Sequence, residues 1–188
     1  MQQLLITFII LTSLTVTGQS QKTYQLNTSK STLEWKGTYM FYFGGHDGNV
    51  SFTKGELHTT NKNITGGFFE IDMNTITNND IENPEGKEGL VGHLKNEDFF
   101  DVKKYPKATL KMKKVAYYEN GNEHKIFADL TIKGITLPIE FKAFADEEKK
   151  QVTTKFKIDR TRWGVTYNNS IKNEALSDAI EFEAILQF

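Results

Sequence analysis

Residues 126–143 read IFADLTIKGITLPIEFKA, and their alternation decides the fold class. Ile126, Ala128, Leu130 and Ile132 share one parity, and beyond Lys133-Gly134 a second row runs through Leu137, Ile139, Phe141 and Ala143. Side chains along a strand point alternately to opposite faces, so each row lies on one face while Asp129, Thr131, Glu140 and Lys142 lie on the other. Lys133-Gly134 leaves room only for a tight turn, and glycine accepts the positive φ such a turn requires. Two alternating rows joined so closely form an antiparallel hairpin.

The same period recurs outward from this hairpin. Phe69, Ile71 and Met73 alternate with Glu70, Asp72 and Asn74; Ala108, Leu110 and Met112 alternate with Thr109, Lys111 and Lys113. Further rows are Val152, Thr154, Phe156 and Ile158, then Ile180, Phe182, Ala184 and Leu186. Upstream, Leu33, Trp35, Tyr39, Phe41 and Phe43 share one parity, broken only by Gly37. Lys54-Gly55, Asn120-Gly121-Asn122 and residues 146–150 carry turn chemistry, and Gly44-Gly45-His46-Asp47-Gly48 reads as a mobile turn. Residues 85–100 alone read as helical, with Leu90, Val91 and Leu94 at spacings of three and four and Pro84 near the start. No linker divides the chain, so one domain is expected over residues 23–188. Its class is all-β and antiparallel, with seven or eight half-apolar strands and one short helical segment. A two-sheet sandwich and a closed barrel both satisfy this pattern.

Composition narrows the function. The chain has 188 residues, with 23 basic and 24 acidic side chains, so it lacks the positive excess that binding a phosphate backbone requires. It contains no cysteine, which removes disulfides, thiolate nucleophiles and cysteine-ligated metals. Residues 4–16 are mostly Leu, Ile, Phe, Thr and Val without a charge, the length of a signal-peptide hydrophobic region and too short to span a bilayer comfortably. Small residues follow at Thr17, Gly18 and Ser20. Residues 1–20 are therefore expected to be a signal peptide, and the mature protein to be exported to the periplasm or the cell exterior without a lipid or membrane anchor.

Catalytic chemistry has little support. His46, His58, His93 and His124 make no pair at metal-ligand spacing, so no metal site is expected. His46 beside Asp47 is the one suggestive juxtaposition. The acidic and basic residues from Glu88 to Lys104 are intermixed as on a solvated face. No serine sits in a nucleophile elbow, and no glycine-rich phosphate loop precedes a helix.

Three ordered segments carry a family resemblance. Gly92-His93-Leu94-Lys95-Asn96-Glu97-Asp98-Phe99-Phe100-Asp101-Val102-Lys103-Lys104-Tyr105-Pro106 is followed by the strand beginning at Ala108. Ala128-Asp129-Leu130-Thr131-Ile132-Lys133-Gly134-Ile135-Thr136-Leu137-Pro138 and Ile158-Asp159-Arg160-Thr161-Arg162-Trp163-Gly164-Val165 come after it. Together they resemble the YceI-like family of exported bacterial proteins. The resemblance implies a single extended, lipocalin-like antiparallel barrel, which decides between barrel and sandwich. It also implies a long-chain lipid ligand, a bound polyisoprenoid such as a quinone tail or prenyl phosphate, in an internal tunnel, with no cofactor required.

Parity selects Trp35, Phe41, Phe43, Phe69, Ile71, Met73, Leu94, Leu110, Met112, Ile126, Leu130, Phe141, Phe156, Trp163 and Phe182 as candidates to line that tunnel. Of the paired Phe99 and Phe100, one ring is expected in the core and the other along the tunnel. His93, Arg160 and Arg162 are candidate head-group contacts, since a guanidinium can fork onto a diphosphate or a quinone oxygen. An arginine stacked on Trp163 to close the barrel end is the structural alternative. The leading expectation is non-catalytic binding, sequestration or transport of a long apolar lipid. An exported interaction protein with a self-filled barrel, meeting its partner through Tyr117, Tyr118, Phe68 or Phe127, is the alternative. An exported lipid-pathway enzyme using His46, Asp47 and His93 comes third.

Overall fold

A computed structural model describes residues 20–40, 43–61, 63–118, 122–166 and 176–188. The expected signal peptide up to residue 19, Phe41, and Asn120-Gly121 lie outside the described residues. Ten strands appear within them: β1 (Gln21–Gln25), β2 (Thr32–Tyr39), β3 (Gly45–Asn49), β4 (Ser51–Thr60), β5 (Asn63–Asp72), β6 (Lys107–Tyr117), β7 (Glu123–Ile132), β8 (Ile135–Asp146), β9 (Gln151–Asp159) and β10 (Leu176–Gln187). One helix, α1 (Pro84–Lys95), stands between β5 and β6.

The strands form one antiparallel sheet in the order β1-β4-β5-β6-β7-β8-β9-β10-β2-β3. Its last strand, β3, runs through Val50 directly into β4 beside its first, and the Val50 amide donates to the Leu33 carbonyl across 3.0 Å. The single sheet therefore curls round until its last strand runs on into β4, which gives a barrel-like curl rather than a two-sheet sandwich. Ten strands replace the expected seven or eight because two long strands each break once, into β1 with β2 and β3 with β4.

Lys133-Gly134 makes the tight turn between β7 and β8, with φ of 51° and 75°. Positive φ at both central residues is the turn whose twist matches a hairpin. Lys54-Gly55, in contrast, is no turn. It lies within β4 just after a register irregularity, where a Cβ on Gly55 would stand 2.6 Å from Phe69 Cδ1. Glycine serves close packing there. The segment from Gly45 is likewise strand β3 rather than a mobile turn.

The helix begins where the sequence places it. Asn83 caps it by accepting from the Glu85 amide, and Pro84 occupies the first turn, where its missing N–H costs nothing. It ends at Lys95, short of residue 100, because Asn96 turns extended and the chain continues in tight turns through Asp101 at φ 47°. In an antiparallel barrel the connections alternate between two ends. The β2–β3, β5–β6, β7–β8 and β9–β10 connections share one end, and α1 belongs to it.

Candidate functional site

The inward rows enclose a cavity of about 290 Å³, at the lower end of the roughly 300–1,000 Å³ usual for ligand pockets. Trp35 of β2 and Phe69 and Ile71 of β5 line it, with Met73 just beyond β5. Leu110 and Met112 of β6, Leu130 of β7 and Phe141 of β8 continue the wall, and Phe156 of β9 and Phe182 of β10 complete it. Phe141 stacks on Phe156 with ring centroids 4.8 Å apart, and Phe156 leans on Phe182 at 5.6 Å. Leu94, with Leu90 and His93, brings α1 across the same cavity. Phe99 is buried in the core and Phe100 half-buried against it, and both rings line the cavity.

Three expected positions fall elsewhere. Phe43 is fully exposed, because β2 ends at Tyr39 and the alternation that selected Phe43 ends with it. Ile126 is fully buried on the inward row it shares with Leu130, but packs against its neighbours without lining the cavity. Trp163 is also 0% exposed, and its indole Nε1 donates to the Leu130 carbonyl from a 3-10 turn at Arg160–Trp163, filling the wall rather than the interior.

The arginines do not reach the cavity either. Arg160 is buried and donates to the backbone carbonyls of Ser177, Val165 and Leu176, with a fourth bond to Asp178. Burial pushes its pKa down, and Asp178 and Asp159 only partly offset this. It ties the 3-10 turn to the start of β10. Arg162 is exposed and stacks over the Trp163 ring at 5.5 Å. The indole partner is therefore Arg162, and neither guanidinium is placed to meet a lipid head inside the barrel. His93 does stand on the cavity wall, edge-on to Phe99 at 5.1 Å.

Among the described residues no lysine, arginine, aspartate or glutamate lines the cavity. Its polar groups are Thr154, whose hydroxyl donates to the Lys142 carbonyl, together with His93, Tyr39 and His46. His46 pairs not with Asp47 but with Asp80, 34 residues on: Nδ1 donates to Oδ2 across 2.8 Å, while Nε2 lies 3.0 Å from the Tyr39 hydroxyl. The carboxylate accepts only, so the proton between them belongs to His46 Nδ1.

Tertiary pairing brings Asp80 there. Asn79 and Thr77 donate backbone N–H groups to the Asp47 and Asn49 carbonyls, and the Asp47 amide donates to Asp80 Oδ1, so residues 77–80 cover the free edge of β3. Burial pushes the Asp80 carboxyl up, but hydrogen bonds from His46, the Asp47 amide and Asn78 outweigh it and hold it below the ordinary aspartate value. No spacing rule could have found this pairing. The parity of Tyr39 was the one usable signal. Among the described residues no group of three or more His, Asp or Glu side chains could hold a metal ion.

A single curled antiparallel sheet, with one helix across an apolar cavity, defines a lipocalin-like fold. The family model for the YceI-like domain matches residues 24–188, and the chain belongs to that family. UPF0312 proteins of Staphylococcus aureus, from strains bovine RF122 / ET3-1 and N315, are each 32% identical to it over 107 residues. These matches cover 51% of this chain and 59% of the relatives' length. Burkholderia cenocepacia BcnA has a similar fold, with a TM-score of 0.70 at 18% identity over 86% of this chain and 98% of that one.

Proposed function

We propose that the protein is an exported, non-catalytic carrier that sequesters a long apolar lipid, a polyisoprenoid in type, inside its barrel. The observation that carries this reading is the cavity wall, which is apolar on nearly every side and bears no charge among the described residues. Each methylene moved from water into such a wall gains about 0.8 kcal/mol, so a polyprenyl chain partitions into it without a covalent step or a bound metal. The space left unfilled between Phe69, Leu110, Phe141 and Phe182 favours a ligand over a self-filled core. Membership of the YceI-like family supports the same class of function.

Export rests on the apolar stretch at residues 4–16 and on the small residues after it. Native mass spectrometry of protein purified from its own cell envelope, followed by solvent extraction, tests the proposal. A stoichiometric isoprenoid released from intact protein is the expected result. Fully occupied cells yielding only lipid-free protein would overturn it.

A further inference from the structure

The cavity is small for a long lipid. An apolar cavity of about 150 Å³ takes one benzene ring, so about 290 Å³ takes on the order of a dozen carbons, the length of two or three prenyl units. A longer polyisoprenoid leaves part of its chain outside, and the wall must let that chain pass.

The wall is incomplete between β8 and β9. The register pairs residues 143–146 with residues 151–154, while residues 135–142 of β8 and 155–159 of β9 face each other without ladder pairs. Pro138 lies in this stretch, and sheets tolerate proline where no ladder donor is needed. Exposure follows the same boundary. On β7 the inward residues Ile126, Ala128, Leu130 and Ile132 are all buried. Across from them on β8, Ile135, Leu137 and Ile139 are half-buried or exposed, and burial resumes at Phe141 and Ala143. A groove of about 360 Å³ occupies the gap. Inward Ile139 and Ile158 and outward Phe127 all line it, so it passes through the sheet, and exposed Glu140, Lys157, Asp159 and Arg162 surround it. Phe141 and Phe156 come next along the two inward rows; they stack at 4.8 Å and line the cavity as well. This ring pair stands between groove and cavity, and parting it breaks no ladder bond. β5 and β6 also diverge, but there the Tyr117 hydroxyl donates to the Ile64 carbonyl and Ile64 is buried, so that gap is filled.

We infer that the β8–β9 groove is a second lipid site, which holds the stretch of a long isoprenoid that the cavity has no room for, with the chain threaded between Phe141 and Phe156. The inference rests on the carrier reading and adds where the chain leaves the barrel and why length is selected. A hydrocarbon suits the groove better than an added protein strand, which needs backbone donors that Pro138 lacks.

Geraniol, farnesol and geranylgeraniol carry one head on tails that grow by one prenyl unit at a time. Each is titrated into delipidated full-length mature protein and followed by calorimetry, on wild type, Ile139→Asp and Phe127→Ser. Each methylene that finds apolar contact tightens binding by about fourfold, so wild type is expected to bind geranylgeraniol at least about a hundredfold more tightly than geraniol. Each variant is expected to weaken geranylgeraniol by about tenfold and to leave geraniol, which fits inside the cavity, unchanged. Unchanged geraniol binding also shows that the variant keeps a folded barrel. Phe127 faces outward, so its variant decides the matter should Ile139→Asp disturb the interior. If affinity stops rising after farnesol, or if Phe127→Ser leaves the geranylgeraniol-to-geraniol ratio unaltered, the groove assignment is wrong while the carrier reading stands. If none of the three alcohols binds wild type, both fail.

Discussion

Trp163 Nε1 donates to the carbonyl oxygen of Leu130 across 3.1 Å, so a 3-10 turn from the β9–β10 connection is pinned to the end of β7 beside the Lys133-Gly134 turn. The indole is fully buried yet absent from the cavity. Its role is structural, and Trp163→Phe should cost stability, by about 1–3 kcal/mol for the carbonyl left without its donor. Lipid occupancy of the folded variant should not change. Chemical denaturation and extracted lipid content, measured on the same sample, check both halves.

Arg160 leads to a similar expectation from different chemistry. Its guanidinium serves three backbone carbonyls and Asp178 from a buried position. Arg160→Met removes donors that nothing else supplies and should destabilise by about 3 kcal/mol or more, since each carbonyl left buried and unpaired costs about 1–3 kcal/mol. Arg162→Ala, exposed and stacked on one face of Trp163, should cost no more than about 1 kcal/mol. Similar losses from the two variants would show that the buried carbonyls find other donors.

Gly134 is held by two constraints at once. Its φ is 75°, and a Cβ there would stand 2.8 Å from Tyr105 Cε1. Gly134→Ala should cost about 1–2 kcal/mol from backbone conformation, with the clash added, and Gly134→Val should cost more because β-branching resists positive φ. Pairing Gly134→Ala with Tyr105→Ala isolates the clash. The double variant should recover part of the loss, and thermal melts of the set provide the measurement.

Two small inward residues should answer differently to enlargement. Ala143 lines the cavity, whereas Ala128, on the same inward row as Leu130, is packed against its neighbours without lining it. Ala143→Phe should displace lipid and leave the delipidated protein nearly as stable. Ala128→Phe should overpack the wall and cost about 1–3 kcal/mol. Occupancy and melting temperature of delipidated protein together distinguish them, and equal behaviour would place both residues in one environment.

Acid should unfold the barrel in two stages. Burial pushes the His124 pKa below its ordinary 6.5, with the Asn122 and Ala143 backbone only partly offsetting it. Glu70 is held below its ordinary 4.5 by hydrogen bonds from Lys107 and then Thr53. In each case the unfolded chain takes up the proton first, so the stability each group contributes is full above its unfolded pKa and is lost as pH falls. The melting temperature should therefore decline from about pH 7 downward through His124 and again below about pH 4.5 through Glu70. His124→Gln should flatten the first decline, while Glu70→Gln should reduce the second. A wild-type melting temperature that is constant between pH 7 and 5 would contradict the histidine assignment.

Much of the barrel could be read along the chain because strand alternation is local. The rows from Ala108 to Met112, from Ile126 to Ile132 and from Ile180 to Leu186 appear in the structure with the same inward parity, and the Lys133-Gly134 turn has the backbone geometry its residues favour. Failures occurred where a local signal ran past the end of an element. Phe43 continued a parity whose strand had already stopped, and Lys54-Gly55 carried turn residues in the middle of β4 because Phe69 and Leu26 press on Gly55.

The sequence by itself determined the period, and with it an antiparallel all-β chain whose apolar rows need a shared interior. Only the tertiary structure decided which of those rows meet empty space and which meet each other. Parity states a direction but not what lies opposite, so Ile126, Leu130 and Trp163 looked alike until the wall curved and Trp163 came to rest on the Leu130 carbonyl. The polar corner shows the same limit. Tyr39 and His46 lie seven residues apart on a hairpin, but Asp80 arrives 34 residues after His46. It is held there because residues 77–80 satisfy backbone groups on the open edge of β3, a long-range need that no local pattern records.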